Sequence, residues 1–469
     1  MFRNRLIPAF LLLLLIAGSV CGAAEKTTAL DRYVQAPDPS FRYELISSNT
    51  ADGFVTQVLD LTSQNWLTKD EVDRTEWRHW LVICRPERVG TSTALLYISG
   101  GSNTSKPPSS PSKMLTLLAA ESGAVVAELR MVPNQPLTFK ADGRPRTEDA
   151  LIAYTWDHYL HTGDERWPAR LPMTKSAVRA MDAITGFCAG EAGGKLKIDR
   201  FVVAGGSKRG WTTWTTAAVD KRVVAVMPIV IDTLNMEKSI VHHWRAYGFW
   251  APAIGDYKEM NMMDWSGTPQ MRALMRIEEP YEYRDRFTMP KYLVNSAGDQ
   301  YFLPDSSQFY FDDLPGEKYL RYVPNTDHSL ANSDVPFSLA TWLDSVVKGT
   351  PRPKFSWKSD RAKGLIQVKA ADKPSEVKLW QATNAKARDF RLLTIGQAWT
   401  GKPLEGAGGV YVAEVQKPEQ GWTAFFVELT FPSGGKYPWK FTTDVVVVPD
   451  VYPFEAPKPR TPTAAPAPR

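Results

Sequence analysis

The stretch 201–219, FVVAGGSKRGWTTWTTAAV, leaves few folds open. An apolar segment suited to a buried strand runs straight into Gly205-Gly206-Ser207-Lys208-Arg209-Gly210, and a run of small helix-compatible residues follows without a linker. A serine among glycines at such a strand-to-helix turn is the arrangement of a nucleophile elbow. Its tight backbone lifts the hydroxyl to the end of a sheet and turns the next N–H toward a developing oxyanion. Here that N–H belongs to Lys208. The usual elbow has glycine two positions after the serine, whereas this chain has Arg209 there and Gly210 one further on. Taken alone, the turn also suits a phosphate-cradling loop or a structural bend, so the rest of the chain must decide.

From about 43 to 345, strand-like and helix-like stretches alternate, which points to an α/β sheet. TALLYIS, GAVVAEL, RFVVAG, VVAVMPIVID, PKYLVNS and KYLRYVP are nearly continuous apolar runs, as central parallel strands covered on both faces require. FVTQVLDL and WRHWLVICRP alternate more and predict an antiparallel edge hairpin. Helical spacing is found over 148–161, over 174–188 after Pro172, and over 337–347 after Pro336.

After Ser207 the chemistry-bearing residues come in a telling order. Asp299 lies just past the strand YLVNS, and His328 lies in the loop after KYLRYVP. Ser, Asp and His then all stand at carboxyl ends of strands, in the chain order that this fold class uses. Of the six histidines, His79, His158 and His161 precede the serine, His242 and His243 fall in an interruption of the pattern, and His328 alone follows the acid. His328 would take the Ser207 proton, and Asp299 would fix its tautomer. Two other acids remain open. Asp232 ends the preceding strand, and Asp305 resembles the cap of a following helix. A second oxyanion donor is expected from the loop Gly100-Gly101.

The expected architecture is therefore an α/β-hydrolase catalytic domain over 25–350 with a mostly parallel sheet. A helical insertion, 233–289, is either a cap over the site or a structural addition at its side. A small all-β sandwich is expected over 355–450, where short strands alternate with Gly, Pro, Asn and Asp, and a Pro/Ala-rich disordered tail over 452–469. Residues 1–24 read as an export signal, with Arg3 and Arg5 before a short apolar run and small residues after it. The mature chain is thus expected in the periplasm or outside the cell, without a stable membrane anchor.

With the signal removed, Cys84 and Cys188 remain. Both lie in apolar contexts, so separate buried thiols are expected. No metal-ligand cluster or dinucleotide fingerprint appears, and no cofactor or metal is expected. The net charge of +5 is spread along the chain, with no basic run interleaved with aromatics, so nucleic acid is not an expected partner. A small-molecule, glycan-ester or peptide substrate is. Lys208 and Arg209 stand at a helix N-terminus, where cations are disfavoured and need acidic partners or a use. The expectation is Arg209 paired with a buried acid and Lys208 facing substrate.

Four blocks carry a family resemblance: ELRMVPNQPLTF (128–139), EDALIAYTW (148–156), LPMTKSAVRAMDA (171–183) and GGSKRGWTTWTTAAVDKRV (205–223). They resemble the PhoPQ-activated pathogenicity-related proteins over most of 30–350. That resemblance implies an exported α/β-hydrolase whose assigned Ser, Asp and His fall on Ser207, Asp299 and His328. It implies little about substrate. The motif G-x-S-[KR]-x-G is also similar to that of glucuronoyl esterases, and this implies that Lys208 assists the oxyanion. Two classes of function follow. One is a serine hydrolase acting on an ester or amide through an acyl-enzyme, as an esterase or as a peptidase of the prolyl-oligopeptidase kind. The other is a non-catalytic secreted binding or signalling protein on the same scaffold.

Overall fold

The computed structural model describes residues 27–458, so the expected export signal and the last part of the tail lie outside the described residues. Helix α1 (Ala29–Gln35) starts in a capping box, with Thr28 accepting from the Asp31 N–H and Asp31 reaching back to the Thr28 N–H. Three antiparallel strands follow: β1 (Arg42–Ala51), β2 (Phe54–Asn65) and β3 (Glu76–Pro86). β2 and β3 are the expected hairpin. β1 is not among the expected strands because its side chains are exposed along its whole length, which leaves no apolar face to read.

The alternating part runs through β4 (Thr93–Ile98), α2 (Lys113–Ser122), β5 (Val126–Leu129), a ribbon of β6 (Leu137–Thr138) and β7 (Pro145–Arg146), and α3 (Glu148–Thr162). It continues through α4 (Arg170–Ala189), β8 (Arg200–Gly206), α5 (Lys208–Val219) and β9 (Val223–Ile229). The interruption contains α6 (Met236–Tyr247), α7 (Gly255–Glu259) and α8 (Pro269–Glu278), joined by 3-10 turns. The pattern then resumes with β10 (Lys291–Ser296), β11 (Lys318–Val323) and α9 (Val335–Lys348). Pro172 and Pro336 fall in the first turns of α4 and α9, where a missing N–H leaves no helical bond unmade.

The sheet order is β1-β2-β3-β5-β4-β8-β9-β10-β11, with β5 through β11 parallel. This is an α/β-hydrolase sheet. Successive residues of β8 point to opposite faces. Phe201 and Val203 join Met181, Ile184 and Trp214 in one core, while Val202 and Ala204 join Leu115, Leu118, Leu339 and Leu343 in the other. Burial on both faces is why these strands read as unbroken apolar runs. Cys84 and Cys188 are buried free thiols in opposite cores, so the sheet separates them. Burial pushes the Cys188 thiol up to about 11.

The C-terminal strands are β12 (Phe355–Asp360), β13 (Leu365–Ala370), β14 (Glu376–Asn384), β15 (Thr400–Pro403), β16 (Gly406–Ala407), β17 (Val410–Glu414), β18 (Trp422–Phe431), β19 (Trp439–Thr442) and β20 (Val446–Val448). One helical turn, α10 (Leu392–Ile395), follows β14. They form two antiparallel layers that share a core through Ile366 and Val368 on one side and Leu379, Val427 and Leu429 on the other. The second layer is not separate from the hydrolase sheet. β19 pairs with β11 at Leu320 and Thr442, and the path β11-β19-β18-β14-β15, with β20 paired to β18, extends one sheet to fourteen strands. An open β11 edge would expose a row of unpaired backbone groups, and β19 covers part of it. The change in composition near 350 therefore marks a boundary in the chain but not in the sheet.

Candidate active site

Ser207 follows β8 with φ 56° and ψ −123°, a conformation that side-chain-bearing residues rarely adopt. A sharp reversal of this kind forces the start of α5 against the strands, and two glycines make room for it. A Cβ on Gly205 would stand 2.7 Å from the Arg209 carbonyl oxygen, and one on Gly210 would stand 2.9 Å from Ile231 and 3.0 Å from the Gly205 and Ile229 carbonyls. On the helix side of the turn the tight approach falls at position 210, so the glycine stands there and Arg209 occupies the position where glycine is usual. Gly206 is less confined, since its nearest neighbour would be Val230 at 3.9 Å.

The two cations that open α5 are matched by the two acids that open α3. Lys208 Nζ donates to Asp149 Oδ2 at 2.8 Å and lies 3.3 Å from Glu148, while Arg209 donates to both Glu148 oxygens at 2.9 and 2.5 Å. Acids are favoured at a helix N-terminus and cations are not, so the α3 pair offsets the unfavourable α5 pair. The expected partners are exchanged. Asp149 is the buried acid and takes Lys208, whereas Glu148, with 38% of its side chain exposed, takes Arg209. Burial alone would raise the Glu148 carboxyl, but Arg209 and Lys208 hold it down to about 2. Arg209 also donates to the Val132 carbonyl at 2.5 Å and fills the space over Gly100, where a Cβ would meet its guanidinium at 2.6 Å. Gly100 and Gly101 therefore stand beside the elbow, but they are not on the wall of the cavity that Ser207 borders.

Asp299 and His328 follow β10 and β11. The Asp299 Oδ1 atom accepts from the Tyr301 and Phe302 N–H groups at 2.7 and 3.3 Å, which orients the carboxylate, and Oδ2 accepts from His328 Nδ1 at 2.7 Å. The His328 ring packs on Tyr301 and Phe302, with ring centroids 4.4 and 5.8 Å away. Its Nε2 is buried and has no hydrogen-bond partner. The imidazole–carboxylate contact is therefore closed, and the hydroxyl–imidazole contact to Ser207 is not. Tyr301 and Phe302 line the same cavity as Ser207, so one wall touches both residues.

Neither alternative acid reaches His328 by a hydrogen bond. Asp232 accepts from the Tyr310 and Tyr322 hydroxyls at 2.5 and 2.6 Å. Burial pushes its carboxyl up to about 7 against those two bonds, and Asp299 and Asp305 add to the rise. Asp305 stands at the N-cap of a 3-10 turn but makes no side-chain cap bond. It binds His242 at 2.9 Å and Arg388 at 2.5 Å instead.

The insertion roofs the site. Residues of α6, α7 and α8 and the turns between them close over a cavity of about 920 Å³, its open mouth included, with Ser207, Lys208 and Asp232 on the wall below. The Tyr257 hydroxyl of α7 donates to Asp149 Oδ1 at 3.0 Å and ties the roof to α3. Of the two positions open for the insertion, the lining of this cavity by Met236, Ile240, Tyr257 and Met271 favours the cap. Asp149, Tyr257 and Arg170, which lies over Trp211 at 4.0 Å, are cavity residues that the sequence reading did not single out. The unpaired cations at 208 and 209 were the signal that such acids had to exist.

The family model for PhoPQ-activated pathogenicity-related protein matches residues 30–391. The chain belongs to that family. Within reach of this family assignment is a curated relative, autocrine proliferation repressor protein A of Dictyostelium discoideum, 39% identical over 95% of this chain and 94% of its own. Among solved structures, the chain is similar to acetyl xylan esterase 1 from Thermoanaerobacterium sp., at 14% identity and TM-score 0.45, covering 67% of this chain and 92% of that one. It is similar also to glucuronoyl esterase from Solibacter usitatus, at 14% identity and TM-score 0.40, covering 67% and 91%. Among the described residues, no helix is long and apolar enough to cross a membrane.

Proposed function

We propose that this family member is an exported serine hydrolase that cleaves an ester through an acyl-enzyme, with Ser207, His328 and Asp299 as its catalytic residues. One observation carries this reading. The serine on a strained elbow lines a cavity whose Tyr301 and Phe302 pack against His328, a histidine whose Nδ1 is held by a carboxylate and whose Nε2 is unspent. As the Ser207 oxygen bonds to the carbonyl carbon, His328 Nε2 takes the hydroxyl proton and Asp299 stabilises the imidazolium. The Lys208 N–H, and a second donor from Gly100 or Gly101, would face the oxyanion. Collapse breaks the bond to the leaving group, which takes the proton from His328. Water then repeats the sequence on the acyl-enzyme.

A fluorophosphonate probe tests this on the secreted full-length protein. Covalent labelling mapped to Ser207, and lost in Ser207→Ala, is the expected result; labelling elsewhere or none at all would sink it. The second reading, a secreted signalling protein on a hydrolase scaffold, is favoured by the printed name of the 39% relative. It predicts no label, and a biological effect that Ser207→Ala leaves intact.

A further inference from the structure

The cavity beside Ser207 has a character that the catalytic residues do not explain. Most of its polar groups are already engaged within the protein, Arg170 Nε being an exception. Lys208 is held by Asp149, Asp149 by Tyr257, and Asp232 by Tyr310 and Tyr322. Ser239 and Ser306 donate to the Leu234 and Leu303 carbonyls, and His243 Nε2 accepts from the Ala251 N–H. Most of what remains for a ligand to touch is apolar: Trp156, Trp211, Ile240 and the methionines Met236, Met263 and Met271. A sugar ring entering here would lose its hydration and gain few side-chain partners in return, which costs binding. Flexible methionine side chains suit an apolar guest of variable shape.

The position of the cavity decides which half of the substrate it takes. Ser207 and Lys208 border it and His328 does not. The leaving group must stand where His328 can protonate it, so the group bordered by Ser207 alone is the one that stays on the serine. We infer that this cavity is an acyl pocket and that the substrates are esters of unbranched apolar acyl groups, rather than acetyl or uronoyl esters of sugars. This rests on the serine-hydrolase reading above.

A p-nitrophenyl ester series from acetate to octanoate, with Ser207→Ala as the blank, tests this on the full-length protein. The expected kcat/KM rises with each methylene, by up to about fourfold per step, and exceeds the acetate value at least a hundredfold at octanoate. Acetate turned over as well as octanoate overturns the pocket. Ile240→Trp, on a partly exposed face of α6, should move the optimum to a shorter chain; an unchanged octanoate-to-butyrate ratio in this folded variant also overturns it. Calorimetry on Ser207→Ala reads the pocket apart from catalysis. Octanoate binding with no xylobiose binding supports the inference, and the reverse, or no octanoate binding, refutes it. Failure of the wild type to cleave any ester refutes the hydrolase reading instead, and the calorimetry still reports on the cavity.

Discussion

Two histidine–carboxylate pairs meet near the carboxyl ends of β10 and β11, and they differ in what their outer atoms face. In the first, His328 Nδ1 is bonded to Asp299 and Nε2 has no partner, with 15% of the His328 side chain exposed. In the second, His242 Nε2 is bonded to Asp305 and Nδ1 to the Tyr452 hydroxyl at 2.8 Å, and Arg388 covers the remaining carboxylate oxygen. Both members of that pair are only 1% exposed. It joins helix α6 to the loop that carries Asp299 and to the C-terminal segments that carry Arg388 and Tyr452. A histidine beside a carboxylate therefore does not mark a reaction. What sets His328 apart is an unspent nitrogen on a ring packed against Tyr301 and Phe302 of the Ser207 cavity.

The largest expected effect comes from the open pair. Ser207→Ala or His328→Ala should lower kcat by ~10⁴-fold or more on any ester the wild type cleaves, because members of a triad act as a unit. His242→Phe, once folded, should stay within a few-fold of wild type in steady-state kinetics. A folded His242 variant with kcat as low as that of His328→Ala would erase the distinction.

Stability should show the opposite ranking. Arg388→Met leaves Asp305 buried without its cation, and breaking a buried pair from one side costs about 3–5 kcal/mol. Burial by itself would raise the Asp305 carboxyl, yet Arg388 and His242 hold it well below the ordinary range, which shows how much it depends on them. The denaturant midpoint of Arg388→Met should fall accordingly. His328→Ala should shift it far less, since that ring is bonded at one end only. Equal shifts would mean that the first pair is structural too.

The difference between the pairs also shows what a sequence can disclose. The elbow, the three parallel-strand ends and the places of Asp299 and His328 were legible because each depends on local chemistry: glycines at a tight turn, apolar runs, an acid and a histidine just past strands. Asp305 was set behind Asp299 because it resembled the cap of a following helix; in the structure Asp299 is the acid hydrogen-bonded to His328, and Asp305 makes no side-chain cap bond. The role of Asp305 was not legible, because its partners His242 and Arg388 lie 63 and 83 residues away. Fusion of the C-terminal strands to the main sheet was hidden for the same reason. β19 reads as any short strand, and nothing local says that its partner is β11. β1, exposed on both faces, gave no alternation to read at all.

Asp232 lies between the two pairs in an electrostatic sense, since Asp299 and Asp305 both push its carboxyl upward. Its folded value of about 7 stands above that of an unfolded chain, about 3.9. The folded state therefore holds the proton more tightly, and the associated stability is full below pH 4 and lost as pH rises toward 7. Asp232→Asn should flatten the pH dependence across that window, by at most ~1.4 kcal/mol per pH unit. Glu278 and Glu279, which burial raises to about 7 and about 8, act in the same direction. The comparison is thus between the slopes of variant and wild type in denaturant titrations from pH 4 to 7. Identical slopes would show that Asp232 is ionised across the whole window.

The smallest effect is expected at Lys208, and it tests whether a spent charge on the cavity wall still matters to the reaction. Its Nζ lies in the salt bridge with Asp149, 2.8 Å away, and not free over the serine. The positive charge is largely matched there, so its field on the oxyanion should be modest, while its backbone N–H stays in place whatever the side chain. Lys208→Met keeps that donor and removes the charge. The expected outcome is a kcat about tenfold lower, ~1.4 kcal/mol of transition-state stabilisation, with KM nearly unchanged because an oxyanion exists only transiently. Asp149→Asn should act in the other direction on the same group: it frees Nζ from its strongest partner, and kcat should hold or rise as long as Tyr257 keeps the cap tied. A thousandfold loss in Lys208→Met would mean that Nζ leaves Asp149 and bonds the oxyanion directly during turnover. An unchanged kcat would reduce Lys208 to a backbone donor, its side chain serving only to satisfy the acid that anchors the cap.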